Sequence, residues 1–145
     1  MKKRTKEIDE LLPQLLMLKR LMHTRFVRAS GKFDPYGWVR METMRFIGIE
    51  KTPNMQDIAR HLSITAASAT SLVSTLKKAG LVLRKPGKED GRIVRIELTA
   101  AGKQELRKTT IRGEKVITDI FSELSNEDVR TLAKILARLG SAHTI

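Results

Sequence analysis

Two stretches of the sequence hold the side chains best suited to engaging another molecule. In the first, Ser63 to Leu76, no residue is charged and seven are Ser or Thr. On a helical wheel of about 100° per residue, Ala67, Ser71, Ser74 and Lys78 share one side, flanked by Ser68, Thr70 and Thr75. Ala69, Leu72, Val73 and Leu76 fall opposite. An ordinary surface helix carries long charged side chains on its outer face. Short hydroxyl side chains instead let a helix approach base edges and phosphates, and small ones such as Ala66 and Ala67 can meet a thymine methyl. Thr65 stands where such a helix needs an N-cap. The second stretch sets Arg84, Lys85, Lys88 and Arg92 around a Gly-containing turn. Cations on a loop tip reach phosphates or a narrow minor groove. Asp90, two residues before Arg92, could pair with its guanidinium and fix its direction. The bland alternatives are a solvent-facing polar helix and an ordinary solvated turn.

Other chemistry has little to stand on. The chain has no cysteine, which excludes disulfides, cysteine metal sites and thiol catalysis. His23, His61 and His143 fall in different segments without a local carboxylate pattern, and His61 reads as a surface or capping residue. No nucleophile elbow, phosphate loop or metal-ligand spacing occurs. The expectation is a protein that is not an enzyme and uses no metal or cofactor.

The overall balance points to a polyanionic partner. Among 145 residues, 28 are Lys or Arg and 16 Asp or Glu, a net charge of +12. The excess is spread along the chain, with 8 basic against 3 acidic residues in 1–30, 5 against 4 in 31–60, 7 against 3 in 61–100 and 8 against 6 in 101–145. Aromatic residues are only 4%, which argues against a base-stacking single-strand binder. The longest stretch free of charged residues, His61 to Leu76, is rich in Ser and Thr, so no membrane span is expected. Lys2-Lys3-Arg4 before the Leu-rich run superficially suggests a signal peptide, but Glu7, Asp9, Glu10, Pro13 and Gln14 interrupt the pattern. A helix of the mature, cytoplasmic protein is expected there.

The positioning elements follow from periodicity. Ile8, Leu11, Leu12, Leu15, Leu16, Leu18, Met22 and Phe26 predict a first helix, with Pro13 either kinking it or near its start. After Ser30-Gly31 and Asp34-Pro35 a second helix runs from about Tyr36 to Phe46. Asn54, with Asp57 three residues on, caps a short third helix with Ile58, Ala59 and Leu62 on its apolar face. The fourth helix starts near Thr65 and ends at Gly80 in a left-handed conformation. The period then changes to two. Strands 81–85 and 93–98, the latter with Val94, Ile96 and Leu98 on one face, flank the loop Pro86 to Arg92. One closing helix carries Leu106, Gly113, Val116, Ile117, Ile120, Phe121 and Leu124. The last is capped by Ser125, carries Val129, Leu132, Leu136 and Leu139, and stops at Gly140. This order describes a mainly α protein with a small β-ribbon, a winged helix-turn-helix. Helix 65–79 would enter the major groove, and the ribbon tip would reach the backbone or minor groove. The terminal helices are more apolar than one small domain needs, which predicts a homodimer.

Asp90-Gly91-Arg92 followed by Leu98-Thr99-Ala100-Ala101-Gly102 resembles the D-x-R…L-T-x-x-G signature of the MarR family of winged-helix regulators. Ile64-Thr65…Ala69-Thr70-Ser71-Leu72-Val73…Leu76…Gly80-Leu81-Val82 is similar to that family's recognition helix and its entry into the wing. The family often has Pro-Ser after the capping Thr and Arg before the Leu-Val pair, where this chain has Ala66-Ala67 and Ser71. The resemblance implies a homodimer built by N- and C-terminal helices, with residues 1–34 and 102–145 for dimerisation and 35–101 as the DNA-binding lobe. It further implies a regulator, most often a repressor, of a pseudo-palindromic double-stranded site, released by a small aromatic or phenolic effector. Candidate lining residues for that effector are Met22, His23, Phe26, Tyr36, Trp38 and Met41, residue types that also serve as plain core packing. The rival readings are a sequence-tolerant architectural DNA-binding protein and, more remotely, a membrane-surface protein using its basic first helix.

Overall fold

A computed structural model describes residues 5–31, 34 and 36–143. The triplet Lys2-Lys3-Arg4 and Pro35 lie outside the described residues. The elements are α1 (Lys6–Ala29), α2 (Gly37–Glu50), α3 (Met55–Leu62), α4 (Ala66–Lys78), β1 (Val82–Pro86), β2 (Val94–Leu98), α5 (Ala100–Phe121) and α6 (Asn126–Ala142). The two strands are antiparallel, with Val82 opposite Leu98 and Pro86 opposite Val94. This is the expected winged helix-turn-helix between long terminal helices.

Local chemistry sets most boundaries. Asn54 and Asp57 form a reciprocal capping box: the Asn54 side chain accepts from the Asp57 amide at 2.8 Å, and the Asp57 carboxylate accepts from the Asn54 amide at 2.9 Å. Thr65, Thr99 and Ser125 cap α4, α5 and α6, each accepting from the amide three residues on. Gly80 takes φ +74° after α4, as expected. Gly102 has a different task. It lies where α5 passes over the backbone carbonyl of Leu81, too close for any Cβ. Thr99 closes the same junction by donating its hydroxyl to the Gly80 carbonyl at 2.6 Å.

Of the two readings of Pro13, it does not mark the helix start: it lies inside α1, seven residues beyond the first residue, Lys6. Other expectations are corrected. α2 continues to Glu50 because Ile47 is a core residue, and Gly48 leaves room for Leu98 and Leu106. α6 runs past Gly140 to Ala142. Leu124 falls in the turn after α5. Val94 is exposed, unlike Ile96, because it lies at the wing end of β2, beyond the core. The Thr52-Pro53-Asn54 break also pairs with β2: the Ile96 amide donates to the Pro53 carbonyl at 2.9 Å, and Asn54 bridges Arg95.

The core is Met44, Ile47, Ile58, Ala59, Ala69, Val73, Leu76, Val82 and Ile96, drawn from α2, α3, α4 and the wing. α5 packs Leu106 against this core and buries Gly102, Thr109, Gly113 and Val116, whereas α1 and α6 contribute little. Phe26 is the buried residue of α1, and α6 has none.

Candidate nucleic-acid interface

The turn between α3 and α4 is made by Ser63, which adopts the left-handed conformation at φ +53° and ψ +44°. The Ile64 amide returns to the Ala59 carbonyl at 3.0 Å. Together they orient α4 so that Ala69, Val73 and Leu76 are buried. By elimination the opposite face is presented: Thr65, Ala66, Ala67, Ser68, Thr70, Ser71 and Lys78 are exposed, and Ser74 is half-buried. Several hydroxyls are already engaged along the helix. Thr70 donates to the Ala66 carbonyl at 2.9 Å, Thr75 to the Ser71 carbonyl at 3.1 Å, and Thr65 to the Ser68 hydroxyl at 2.9 Å. Each hydroxyl can still accept, so the face from Ala66 to Thr75 is short, neutral and wettable, with Lys78 at its C-terminal end.

The wing stands beside this face, and one contact joins them. Arg84 Nη2 donates to Ser74 Oγ at 3.1 Å. Lys85 pairs across the ribbon with Glu97 at 2.9 Å, which holds it along the strand. Lys88 and Arg92 are exposed and have no carboxylate within 4.0 Å among the described residues. The expected pairing of Asp90 with the Arg92 guanidinium is not what forms. Asp90 Oδ1 accepts from the Arg92 backbone amide at 2.9 Å, an Asx turn that shapes the loop and leaves the guanidinium free. The Ile93 amide bonds to the Asp90 carbonyl at 3.1 Å, and the Gly87 amide to the Ile93 carbonyl at 2.7 Å. The tip is therefore closed by backbone bonds.

Arg95 was not singled out from the sequence. It reaches Asp57 at 3.9 Å and donates to the Thr52 carbonyl at 3.4 Å, clamping β2 to the start of α3. Its alternation along the strand was the available signal. His61 is no simple cap: its Nε2 lies 2.8 Å from Glu42 Oε1, and its ring stacks on Phe46 with centroids 4.1 Å apart.

The six candidate effector-lining residues do not share one cavity. A cleft of about 460 Å³ lies where the C-terminal ends of α1 and α4 meet α2 and α5. Phe26 lines it, with Thr75, Leu76, Ala79 and Leu81 from the recognition helix and wing entry. Two ion pairs, Asp34 with Arg40 and Glu105 with Arg112, stand in its wall. Trp38 packs edge-on against Phe26, centroids 5.3 Å apart, but opens with Met41 into a separate shallow cleft between α2 and α5. Met22, His23 and Tyr36 line neither cleft. Among the described residues no group of three His, Asp or Glu side chains is placed to hold a metal, and no helix is long and apolar enough to cross a membrane.

A short capped helix, a left-handed turn, a neutral hydroxyl-faced second helix and a two-stranded wing with free cations define a winged-helix protein. The MarR family model matches residues 38–94. A curated relative, the uncharacterized HTH-type transcriptional regulator YdgJ of Bacillus subtilis, is 24% identical over 133 residues, covering 92% of this chain and 79% of that protein. A MarR family protein from Bacillus stearothermophilus superposes with TM-score 0.82 at 16% identity, covering 99% of each chain. FabT of Streptococcus pneumoniae, solved in complex with DNA, superposes with TM-score 0.72 at 21% identity over 94% of each chain. The MarR family match thus falls on the winged-helix lobe, and the fold of MarR-family proteins extends over nearly the whole chain.

Proposed function

We propose that this protein is a homodimeric, sequence-specific transcriptional repressor acting in the cytoplasm on a pseudo-palindromic double-stranded site. α4 lies in the major groove and the wing, residues 84–92, on the backbone or minor groove. The carrying observation is the Arg84–Ser74 contact, which joins the hydroxyl-rich face of α4 to the base of the wing and supports reading both as one interface. Residues 1–34 and 102–145 supply the dimer, and residues 35–101 the lobe that reads DNA. A small aromatic or phenolic effector would enter the cleft lined by Phe26, because that cleft also touches Thr75, Leu76 and Ala79 of the recognition helix. Occupancy there bears directly on the angle of α4.

The test is selection of bound duplexes from a random pool, repeated at several salt concentrations. Two helices and two wings making roughly 6–10 phosphate contacts should lose about 10³–10⁵-fold in affinity between about 50 and 200 mM salt. A flat salt response would remove DNA as the main partner. One feature favours the architectural reading: the exposed face of α4 lacks the Arg, Asn or Gln side chains that make bidentate base contacts. Recovery of a consensus supports the repressor; equal affinity for every duplex supports the architectural binder.

A further inference from the structure

Between the C-terminal half of α1 and the middle of α5 lies a cleft of about 430 Å³ that contains none of the residues proposed to contact DNA. Arg25 and Arg28 line it from α1, one turn apart; Arg112 and Lys115 face them from α5, also one turn apart. Val116, buried, forms part of the floor, and Asp119 is the one carboxylate in the lining. Arg25, Arg28 and Lys115 have no carboxylate within 4.0 Å among the described residues. Arg112 is half-buried and held by Glu105 at 3.2 Å, so its guanidinium is already positioned. Three cations without a carboxylate partner, beside the Glu105-paired Arg112 and the lining carboxylate Asp119, leave the concavity positive, and an oxyanion offsets that charge. Guanidinium forks on two sides match the geometry of phosphate oxygens.

We propose that this α1–α5 cleft binds a small polyanion bearing phosphate groups, such as a phosphorylated metabolite. Arg25, Arg28 and Lys115 supply charge, and Arg112 supplies the fixed fork. Arg112 also lines the cleft beside the recognition helix. An anion seated on Arg112 while it stays paired with Glu105 therefore bears on a wall that Thr75 and Ala79 share.

The test is titration of the full-length protein with inorganic tripolyphosphate, without DNA, at about 0.15 M salt, where weak surface attraction is screened. Wild type should bind saturably. Arg28→Ala/Lys115→Ala should weaken binding about tenfold or more, because two charge-assisted contacts are lost. Lys88→Ala/Arg92→Ala on the wing should stay within about twofold, since that site is separate. Absence of saturable binding, or equal loss in both double variants, would overturn the proposal. So would unchanged anion affinity with a lost dimer in Arg28→Ala/Lys115→Ala, which would assign these cations to a contact between protomers. Duplex binding separates the two sources of phosphate. A salt slope unchanged by Arg28→Ala/Lys115→Ala fits a free anion, whereas a slope lowered by about one unit or more makes a backbone phosphate the occupant and overturns the proposal. The anion titration contains no DNA, so its failure is distinct from failure of the repressor reading.

Discussion

The winged-helix lobe and the terminal helices are finished to different degrees. In the lobe, Ile58, Ala69, Val73 and Ile96 are fully shielded from solvent. Along the first half of α1, Ile8, Leu11, Leu12, Leu15, Leu16 and Met17 each remain about half exposed, and α6 exposes Leu136 and Leu139 to a similar degree. Scattered exposed leucines need no explanation, but a contiguous apolar band on two helices does. The lobe closes its core within one chain, whereas α1 and α6 leave apolar surface that one chain does not cover. The lobe is therefore self-sufficient in its packing, while the terminal helices leave apolar surface open.

The sharpest way to break this contrast is to place charge in the apolar band. Each chain would lose two half-exposed leucines of the band in Leu15→Glu/Leu136→Glu. Because each leucine is already about half covered within one chain, four per dimer at about half of 1.5–3 kcal/mol amount to roughly 3–6 kcal/mol. Light scattering at micromolar concentration should give twice 16.4 kDa for wild type and 16.4 kDa for the variant, with the lobe still folded by circular dichroism. A monomeric wild type would show that the band serves something other than self-association. The next largest effect is expected at the seam between lobe and helices. Gly102→Val drives a side chain into the Leu81 carbonyl, and backbone cannot step aside cheaply. A loss of about 3 kcal/mol or more is expected in denaturant unfolding. A loss below about 1 kcal/mol would mean that α5 is not seated on the wing entry as described.

The contrast also explains what could be read from the sequence. Capping is local, so Asn54 with Asp57, Thr65 and Ser125 were legible from residue type and spacing. The change of period from 3.6 to 2 after Gly80 placed the wing to within a residue at each strand. Features set by neighbours distant in the chain were not legible. Gly48 resembles a helix end until Leu98 and Leu106 are packed against it. The left-handed Ser63 carries no glycine to announce it, and the pairing of Pro53 with β2 depends on where the ribbon folds back. The candidate effector residues shared helical spacing, but spacing on α1 and α2 does not say which cavity each helix faces. Asp90 shows the limit most clearly. A carboxylate two residues before an arginine can reach its guanidinium or its backbone amide, and only the loop geometry decides between them.

Within the lobe, the uncharged face of α4 gives the next test. Ser71→Glu would set an anion against bases and phosphates, a like-charge contact worth about 3 kcal/mol. Duplex binding should fall accordingly, with dimer mass and unfolding midpoint unchanged, because Ser71 is exposed. Ser71→Ala should cost only about 1 kcal/mol, the value of one hydrogen bond. If Ser71→Glu bound its selected duplex normally, α4 would not lie in the groove, and the lobe would be self-sufficient for some other purpose.

The smallest expected effect separates a residue that touches DNA from one that shapes the loop carrying it. Arg92→Ala removes a free cation and should lower the salt slope by about one unit per half-site. Asp90→Ala removes a negative charge near DNA, so long-range attraction alone would strengthen binding. It also removes the acceptor of the Arg92 amide, which loosens the tip and costs pre-organisation. The two changes oppose each other, and the net result should be unchanged or weakened binding by up to about 1 kcal/mol. The signs differ once Arg92 is gone. With no guanidinium to present, loosening the tip costs little, and Asp90→Ala in the Arg92→Ala background should strengthen binding. Asp90→Asn refines the comparison further, because its side-chain oxygen can still accept from the Arg92 amide while the charge is lost. It should bind more tightly than wild type, in contrast to Asp90→Ala. A double-mutant cycle without coupling, or Asn and Ala behaving alike at position 90, would show that the Asx turn does not position Arg92. The wing would then act only as a basic turn, and its contribution would depend on charge and not on shape.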